Sequence, residues 1–241
     1  MGNFTNIATK QKNSKPPHMQ QVLIIGASGH AKVIIDIFEK NKWEVVGLID
    51  DNRNNNEETL GYKVLGKIDE IPQIIKKIET NNIFVAIGDN WTRQQVINKI
   101  KVKTSNIEFV NAIHPSAQIG KNVTLGKGIA IMAGAIVNAD SIIGDFAFIN
   151  TNASAGHDTK MSNYSSLAPG VTVGGNTQIG EYSAISIGAT LIEGIIIGKH
   201  CIIGAAALLL TNCEDNWIMY GVPAKKIRTR EAGEKYYKNI N

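Results

Sequence analysis

Cysteine is scarce in this chain of 241 residues: Cys201 and Cys213 are the two present, and neither has a CxxC neighbour. Two thiols cannot staple a chain this long, so a disulfide scaffold is excluded and a reducing compartment is expected. Long apolar runs are missing as well. No stretch approaches the roughly 20 residues a membrane span needs, and the beginning of the chain lacks the apolar core of a signal peptide, which predicts a cytoplasmic protein with no membrane span. Acidic residues are absent from the first 18 positions, which carry Lys10, Lys12 and Lys15 and end on Pro16-Pro17-His18. Those three lysines supply most of the formal charge, which drops from +4 to +1 without them (4 minus 3). A nucleic-acid partner therefore has no compositional support. Residues 1–19 read as a disordered leader or an expression remnant.

What the chain does have is a repeat. Every sixth residue from Ile113 is aliphatic or nearly so, through Ile119, Leu125, Ile131 and Val137 to Ile203 and Leu209, and the frame never slips. Two residues before most of these sits a second, smaller set, such as Ala117, Ala135, Ser141, Ala153, Thr159 and Cys201. A period of six is neither that of an amphipathic helix nor that of a plain strand; it matches hexapeptide β-helix repeats. Each hexad gives one short strand and one turn, and three hexads give a coil of 18 residues. Glycine follows the large position repeatedly, as at Gly120, Gly144, Gly156 and Gly174, and is expected there to supply turn dihedrals that a Cβ would disfavour. Cys201 falls on a small inward position and reads as packing. Because the frame is unbroken, no inserted loop folds over the prism, and a ligand site must lie in a groove between two prisms. That predicts a homo-oligomer, most simply a homotrimer, against the plainer alternative of a rigid spacer.

Upstream, Gln21 to Ile25 reads as a buried strand, followed by the turn Gly26-Ala27-Ser28-Gly29-His30 and a helix from Ala31 to about Glu39. A second strand, Glu44 to Ile49, ends on Asp50-Asp51. A third, Ile83 to Ile87, leads through Gly88-Asp89-Asn90 into a helix with Thr92, Arg93 and Gln94 in its first turns. Strand, helix, strand implies a small parallel, Rossmann-like α/β unit. The predicted class is thus α/β plus β: an α/β nucleotide-sugar unit over 20–110, a left-handed parallel β-helix over 111–212, and a C-terminal cap and tail over 213–241. Such sheets bind ligands at the carboxyl ends of their strands. However, Gly26-x-x-Gly29 lacks the third glycine of a dinucleotide fingerprint, and a nucleotide-sugar site and a merely tight turn both remain open.

His157 is the strongest candidate for chemistry. It follows inward Ala155 and Gly156, where the turn carries side chains outward, and Asp158 follows it. An imidazole can take a proton from an amine or hydroxyl, and a carboxylate on its other nitrogen fixes the tautomer. One coil on lies Gly175, whose amide is either an oxyanion donor or plain turn chemistry. A zinc site is the rival on such a scaffold, but His114, His157 and His200 fall on different faces and hexad offsets, so no metal is expected.

With the glycine-histidine turn, the hexads and the ending Tyr220-Gly221-Val222-Pro223-Ala224-Lys225 together, the chain resembles the bacterial sugar O- and N-acyltransferases of the hexapeptide-repeat superfamily. Within them it is most similar to the acetyl-CoA-dependent N-acetyltransferases of nucleotide-linked 4-amino-4,6-dideoxy sugars, which serve surface polysaccharide or glycan biosynthesis. The resemblance runs from about Gln21 to Arg228. It implies that Ser28, Gly29 and His30 bind the nucleotide sugar, with the base near Asp50 and Asp51 and Asn150 close to the sugar. It implies a trimer with its active site between subunits, His157 as base and Asp158 beside it. It places acetyl-CoA along the groove, its thioester near the Gly175 amide, with contacts at Ser166, Ile187 and Ala205. Direct transfer in a ternary complex follows, with no acyl-enzyme. Two rivals stand beside this reading: O-acetylation of sialic acid or a related sugar, and a non-catalytic trimeric scaffold.

Overall fold

The computed structural model describes residues 19–235, so the expected leader lies outside the described residues except for its last position. The α/β unit opens with β1 (Gln21–Ile25), α1 (Gly29–Lys40) and β2 (Glu44–Ile49). Four of the five β1 residues are buried, as a central parallel strand covered on both faces requires. Helix α1 buries Ala31, Ile34, Ile35, Ile37 and Phe38 along one side. It starts two residues earlier than the apolar spacing suggests, because Ser28 takes the extended conformation of an N-cap and lets Gly29 and His30 join the first turn.

The chain continues through a short hairpin of β3 (Glu58–Thr59) and β4 (Tyr62–Gly66), then α2 (Ile71–Ile78), β5 (Asn82–Val85), α3 (Asn90–Lys103) and β6 (Glu108–Phe109). The sheet runs β3-β4-β2-β1-β5-β6. All its pairs are parallel except β3 with β4. Strand β5 stops at Val85, short of the expected Ile87, because the carbonyls of Ile87 and Gly88 leave the sheet and accept hydrogen bonds from the Arg93 guanidinium.

From Ala112 the chain winds into a left-handed parallel β-helix. Partners sit 18 residues apart on each of three sheets, for example Ala130 beside Phe148, Ser154 beside Thr172 and Ile142 beside Lys160. The aliphatic column fills the prism, and Ile131, Val137, Ile149 and Leu209 are fully buried. Each such side chain contributes about 2 kcal/mol by leaving water. Three of the inward hydroxyls are satisfied by turn carbonyls: Ser141 donates to Gly156, Thr177 to Gly174 and Ser183 to Gly198. The last coil is two residues shorter, with Ile202 beside Ile218. An antiparallel hairpin of Trp217–Gly221 and Ala224–Thr229 closes it.

The glycines after the large position have a different job from the expected one. None of Gly120, Gly144, Gly156 or Gly174 has a positive φ. Instead, a Cβ at Gly144 would come within 2.7 Å of the Asn163 nitrogen, and one at Gly174 within 2.4 Å of the Glu193 nitrogen. They are glycine because the next coil's backbone passes too close for any side chain. The left-handed conformation falls two residues later, at Asn152, Asp158, Asn176 and their equivalents, where Asn and Asp tolerate it best among residues with a Cβ.

One face of the prism, carrying Ala112, Ala130, Phe148, Ser166 and Ala184 outward, is covered by the α/β unit. Ala112, Ala130, Met132 and Phe148 share a core with α1, β1 and β5. Phe146 and Tyr164 share another with α3. The two halves are therefore packed together through small residues and one aromatic edge. Among the described residues, no helix is long and apolar enough to cross a membrane.

Candidate functional site

At the carboxyl edge of the sheet, the ends of β1 and β2 and the start of α3 enclose a cleft of about 480 Å³. Ser28, Asp50 and Asp51 line it, as do Arg53, Thr92, Val96 and Lys99. Ser28 makes no capping hydrogen bond to α1. The two carboxylates also build the rim. Asp50 accepts from the Ala27 amide through Oδ2 and from the Asn52 amide through Oδ1, each at 2.8 Å, while Asp51 Oδ1 accepts from the Ile68 amide at 2.9 Å. Lys67 Nζ donates to the carbonyls of Asp50, Asp51 and Arg53 and so clamps the loop between them. Arg53 and Lys99 bring positive charge to the cleft that sequence reasoning passed over. The signal was present, since Thr92, Val96 and Lys99 recur at helical spacing on one side of α3.

His30 does not line this cleft. It faces a smaller cavity of about 150 Å³ between the α/β unit and the prism, walled by Gly88, Phe148, Asn150, Ser166 and Ser186 among others. Its ring stacks on Phe148 with centroids 5.0 Å apart and planes at 13°. Its Nε2 is sealed from solvent without a hydrogen-bond partner. Burial, with the Arg93 charge adding to it, pulls its pKa down to about 4, so the imidazole is neutral at physiological pH and can give or accept one hydrogen bond. Three residues expected at two different ligands, His30 and Asn150 at the sugar and Ser166 at the cofactor, thus meet in one cavity. Gly88 lines both spaces.

His157 stands apart from both. Its side chain is 61% exposed, and Nδ1 lies 2.8 Å from Asp158 Oδ2. Asp158 holds the left-handed conformation, φ 57°, which turns its carboxylate back to the preceding ring. One coil on, the Asn176 amide donates to the His157 carbonyl. The imidazole lies against Gly175: a Cβ there would be 2.6 Å from both Cε1 and Nε2. With Nδ1–H donating to Asp158, Nε2 is left as the basic nitrogen.

The register separates these groups further. Asn150, Ile187 and Ala205 lie on turns at one corner of the prism, and Ile187 and Ala205 are exposed. His157 and Gly175 lie at the next corner, across the face that carries Ser154, Thr172 and Thr190 outward. Among the described residues, no cluster of three or more His, Cys, Asp or Glu side chains could hold a metal ion.

Residues 21–100 match the model of the PglD N-terminal domain. The chain is similar to the perosamine N-acetyltransferase of Caulobacter crescentus, solved with CoA and GDP-perosamine. Against a histidine-to-asparagine variant of that enzyme, identity is 36% over 87% of this chain and 97% of the other, with a TM-score of 0.82. The acetyltransferase domain of PglB from Neisseria gonorrhoeae, in complex with acetyl coenzyme A, is 28% identical over 87% of this chain and 100% of that one, with a TM-score of 0.77. In sequence, it is 31% identical over 116 residues, 48% of this chain, to the UDP-N-acetylbacillosamine N-acetyltransferase of Bacillus subtilis. It is 35% identical over 128 residues, 53% of this chain, to the uncharacterized protein L142 of Acanthamoeba polyphaga mimivirus. The matched segments span 52% and 24% of those two curated relatives.

Proposed function

This chain belongs to the sugar N-acetyltransferases of the hexapeptide-repeat family, and from that premise we propose that it transfers the acetyl group of acetyl-CoA to the 4-amino group of a nucleotide-linked 4-amino-4,6-dideoxy sugar, supplying an acetamido sugar for glycan assembly. The observation that carries the reading is the His157–Asp158 pair set against Gly175 on an unbroken prism. The nucleotide occupies the sheet-edge cleft, where Arg53 and Lys99 offset its phosphates, and the sugar extends toward Asn150. Ser28 and Gly29 form the turn over the phosphates. Ile187, Ala205 and Ser166 line the path of acetyl-CoA.

His157 Nε2 accepts a proton as the amine nitrogen attacks the thioester carbonyl. A C–N bond forms, the C–S bond breaks, and the Gly175 amide stabilises the oxyanion in between. Coenzyme A leaves as the thiol, and Asp158 holds the imidazolium in place. Because His157 lines neither cavity of its own chain, the site is completed by a second copy, in a homotrimer. Support for that assembly comes from the two uncovered prism faces, which expose Ile136, Ile142 and Ile196 at 40%, 45% and 48%.

The test is release of free thiol from acetyl-CoA with UDP-, dTDP- and GDP-linked 4-amino-4,6-dideoxy sugars, beside His157→Ala. Turnover with one of them, reduced about 10² to 10⁴-fold in the variant, is the expected result. Turnover confined to a sugar hydroxyl acceptor overturns N-acetylation, and full activity in His157→Ala overturns the base.

A further inference from the structure

The spaces on either side of Gly88 are held together by one buried cation. Arg93, in the first turn of α3, is fully buried. Its Nη1 donates to the carbonyls of Ile87 at 2.7 Å and Gly88 at 3.0 Å. Nε donates to the Phe146 carbonyl at 3.1 Å, and Nη2 to the Tyr164 carbonyl at 3.2 Å and to Asn90 Oδ1 at 2.6 Å. Asn90 passes the linkage on: its Nδ2 donates to Ser166 Oγ at 3.0 Å and to the Ser183 carbonyl at 3.2 Å. The guanidinium carbon also sits 3.8 Å from the centroid of Phe148, the ring on which His30 stacks.

The targets of this fork form a pattern. Gly88 is common to the cleft and the small cavity; Phe148 and Ser166 wall the cavity from the prism side, and His30 walls it from the α/β side. A cation that served only to glue two surfaces would have no reason to hold the turn where β5 leaves its sheet. A lysine could not replace it, since a single ammonium on a flexible stem cannot satisfy carbonyls in so many directions while stacking on a ring.

We propose that Arg93 is a positioning residue for the acetyl transfer: its fork fixes the Ile87–Gly88 turn relative to Phe148, His30 and Ser166, and thereby the distance between the bound nucleotide and the place where the sugar amine is presented. The inference rests on the proposed reaction for its kinetic arm and not for its structural arm. Displacing bound groups by about 1 Å costs on the order of 10²-fold in rate, and that is the scale expected here.

Two measurements on Arg93→Lys and Asn90→Ala test it, made on protein shown by its circular dichroism to be folded. In amide hydrogen exchange, peptides covering Ile87 to Asn90 should exchange at least tenfold faster than wild type, with the β-helix beyond Thr190 unchanged. In steady-state assays, kcat should fall and KM for the nucleotide sugar rise, together about 10²-fold in kcat/KM, with a smaller rise in KM for acetyl-CoA through the loss of the hold on Ser166. A merely structural role would lower the active fraction and leave both KM values alone, and that outcome overturns the proposal. Unchanged exchange at Ile87–Asn90 overturns it whatever the substrate is. A wild type that turns over no amino sugar nucleotide defeats the proposed reaction instead, and the exchange result then decides the role of Arg93 by itself.

Discussion

Gly175 carries the sharpest expectation about a single residue. Its φ is not positive, so alanine is not excluded by backbone conformation, and the constraint is the imidazole lying against it. A methyl group there must push the exposed His157 ring aside, which costs little stability because the ring can swing into water. Gly175→Ala should therefore melt within a few degrees of wild type while losing about 10²-fold in kcat, the scale of a misplaced catalytic group; a variant with normal kcat would detach Gly175 from the site. His30 gives a prediction in pH. Its folded pKa is near 4 against 6.5 for the free imidazole, so between those values the unfolded chain binds the proton that the folded chain refuses. Stability is then full above about pH 6.5 and declines as pH falls toward 4, by up to about 3 kcal/mol. Urea unfolding of wild type and His30→Gln across pH 4 to 7 should show this slope in the first and a shallower one in the second. Equal slopes would place the titrating group elsewhere.

The hexad, taken as an element, divides its glycines into two kinds that can be told apart by substitution. Gly194 has φ +72° and open space around it, so alanine there pays only the left-handed penalty of about 1 kcal/mol. At Gly144 a Cβ meets the Asn163 backbone nitrogen at 2.7 Å, and the coil above must move, at about 2 to 3 kcal/mol or more. Chemical denaturation of Gly144→Ala and Gly194→Ala should rank them in that order, and the reverse ranking would restore the turn-dihedral explanation. The contrast also marks what a sequence can reveal at this scale. The period of six announces the prism, its coil length and which side chains point inward, because those follow from local geometry repeated without interruption. The reason for Gly144 and Gly174 was hidden, since it depends on the backbone 19 positions later. Likewise β1, β2 and the His157–Asp158 pair were legible from adjacent residues. The burial of His30 against Phe148 and the reach of Arg93 to the carbonyls of Phe146 and Tyr164 were not, because they join segments more than 50 residues apart in sequence.

In the whole molecule, the separation of parts predicts how copies must cooperate. A single chain carries a cleft for the nucleotide, a cavity reaching Asn150, and, at the next corner of its prism, a His157 that opens onto neither. If the proposed trimer brings the His157 corner of one copy to the cavity of another, each active site draws its nucleotide-binding half and its base from different chains. Sedimentation at micromolar concentration should then give about three times the 26.1 kDa chain mass. Sharing of sites makes a stronger demand. Let one differently tagged chain carry His157→Ala, and another Ser28→Trp, which fills the cleft lined by Ser28. Each homotrimer is inactive, the first for want of a base and the second for want of a nucleotide site. In a doubly tagged trimer, whether two-to-one or one-to-two, cyclic symmetry pairs an intact cleft with an intact His157 at one interface in three, so roughly a third of wild-type activity should return. If every site were built within one chain, no interface would be whole in any mixture. The doubly tagged protein would then be as inactive as its parents, and the exposed His157 would need its substrates brought to it by motion within the chain.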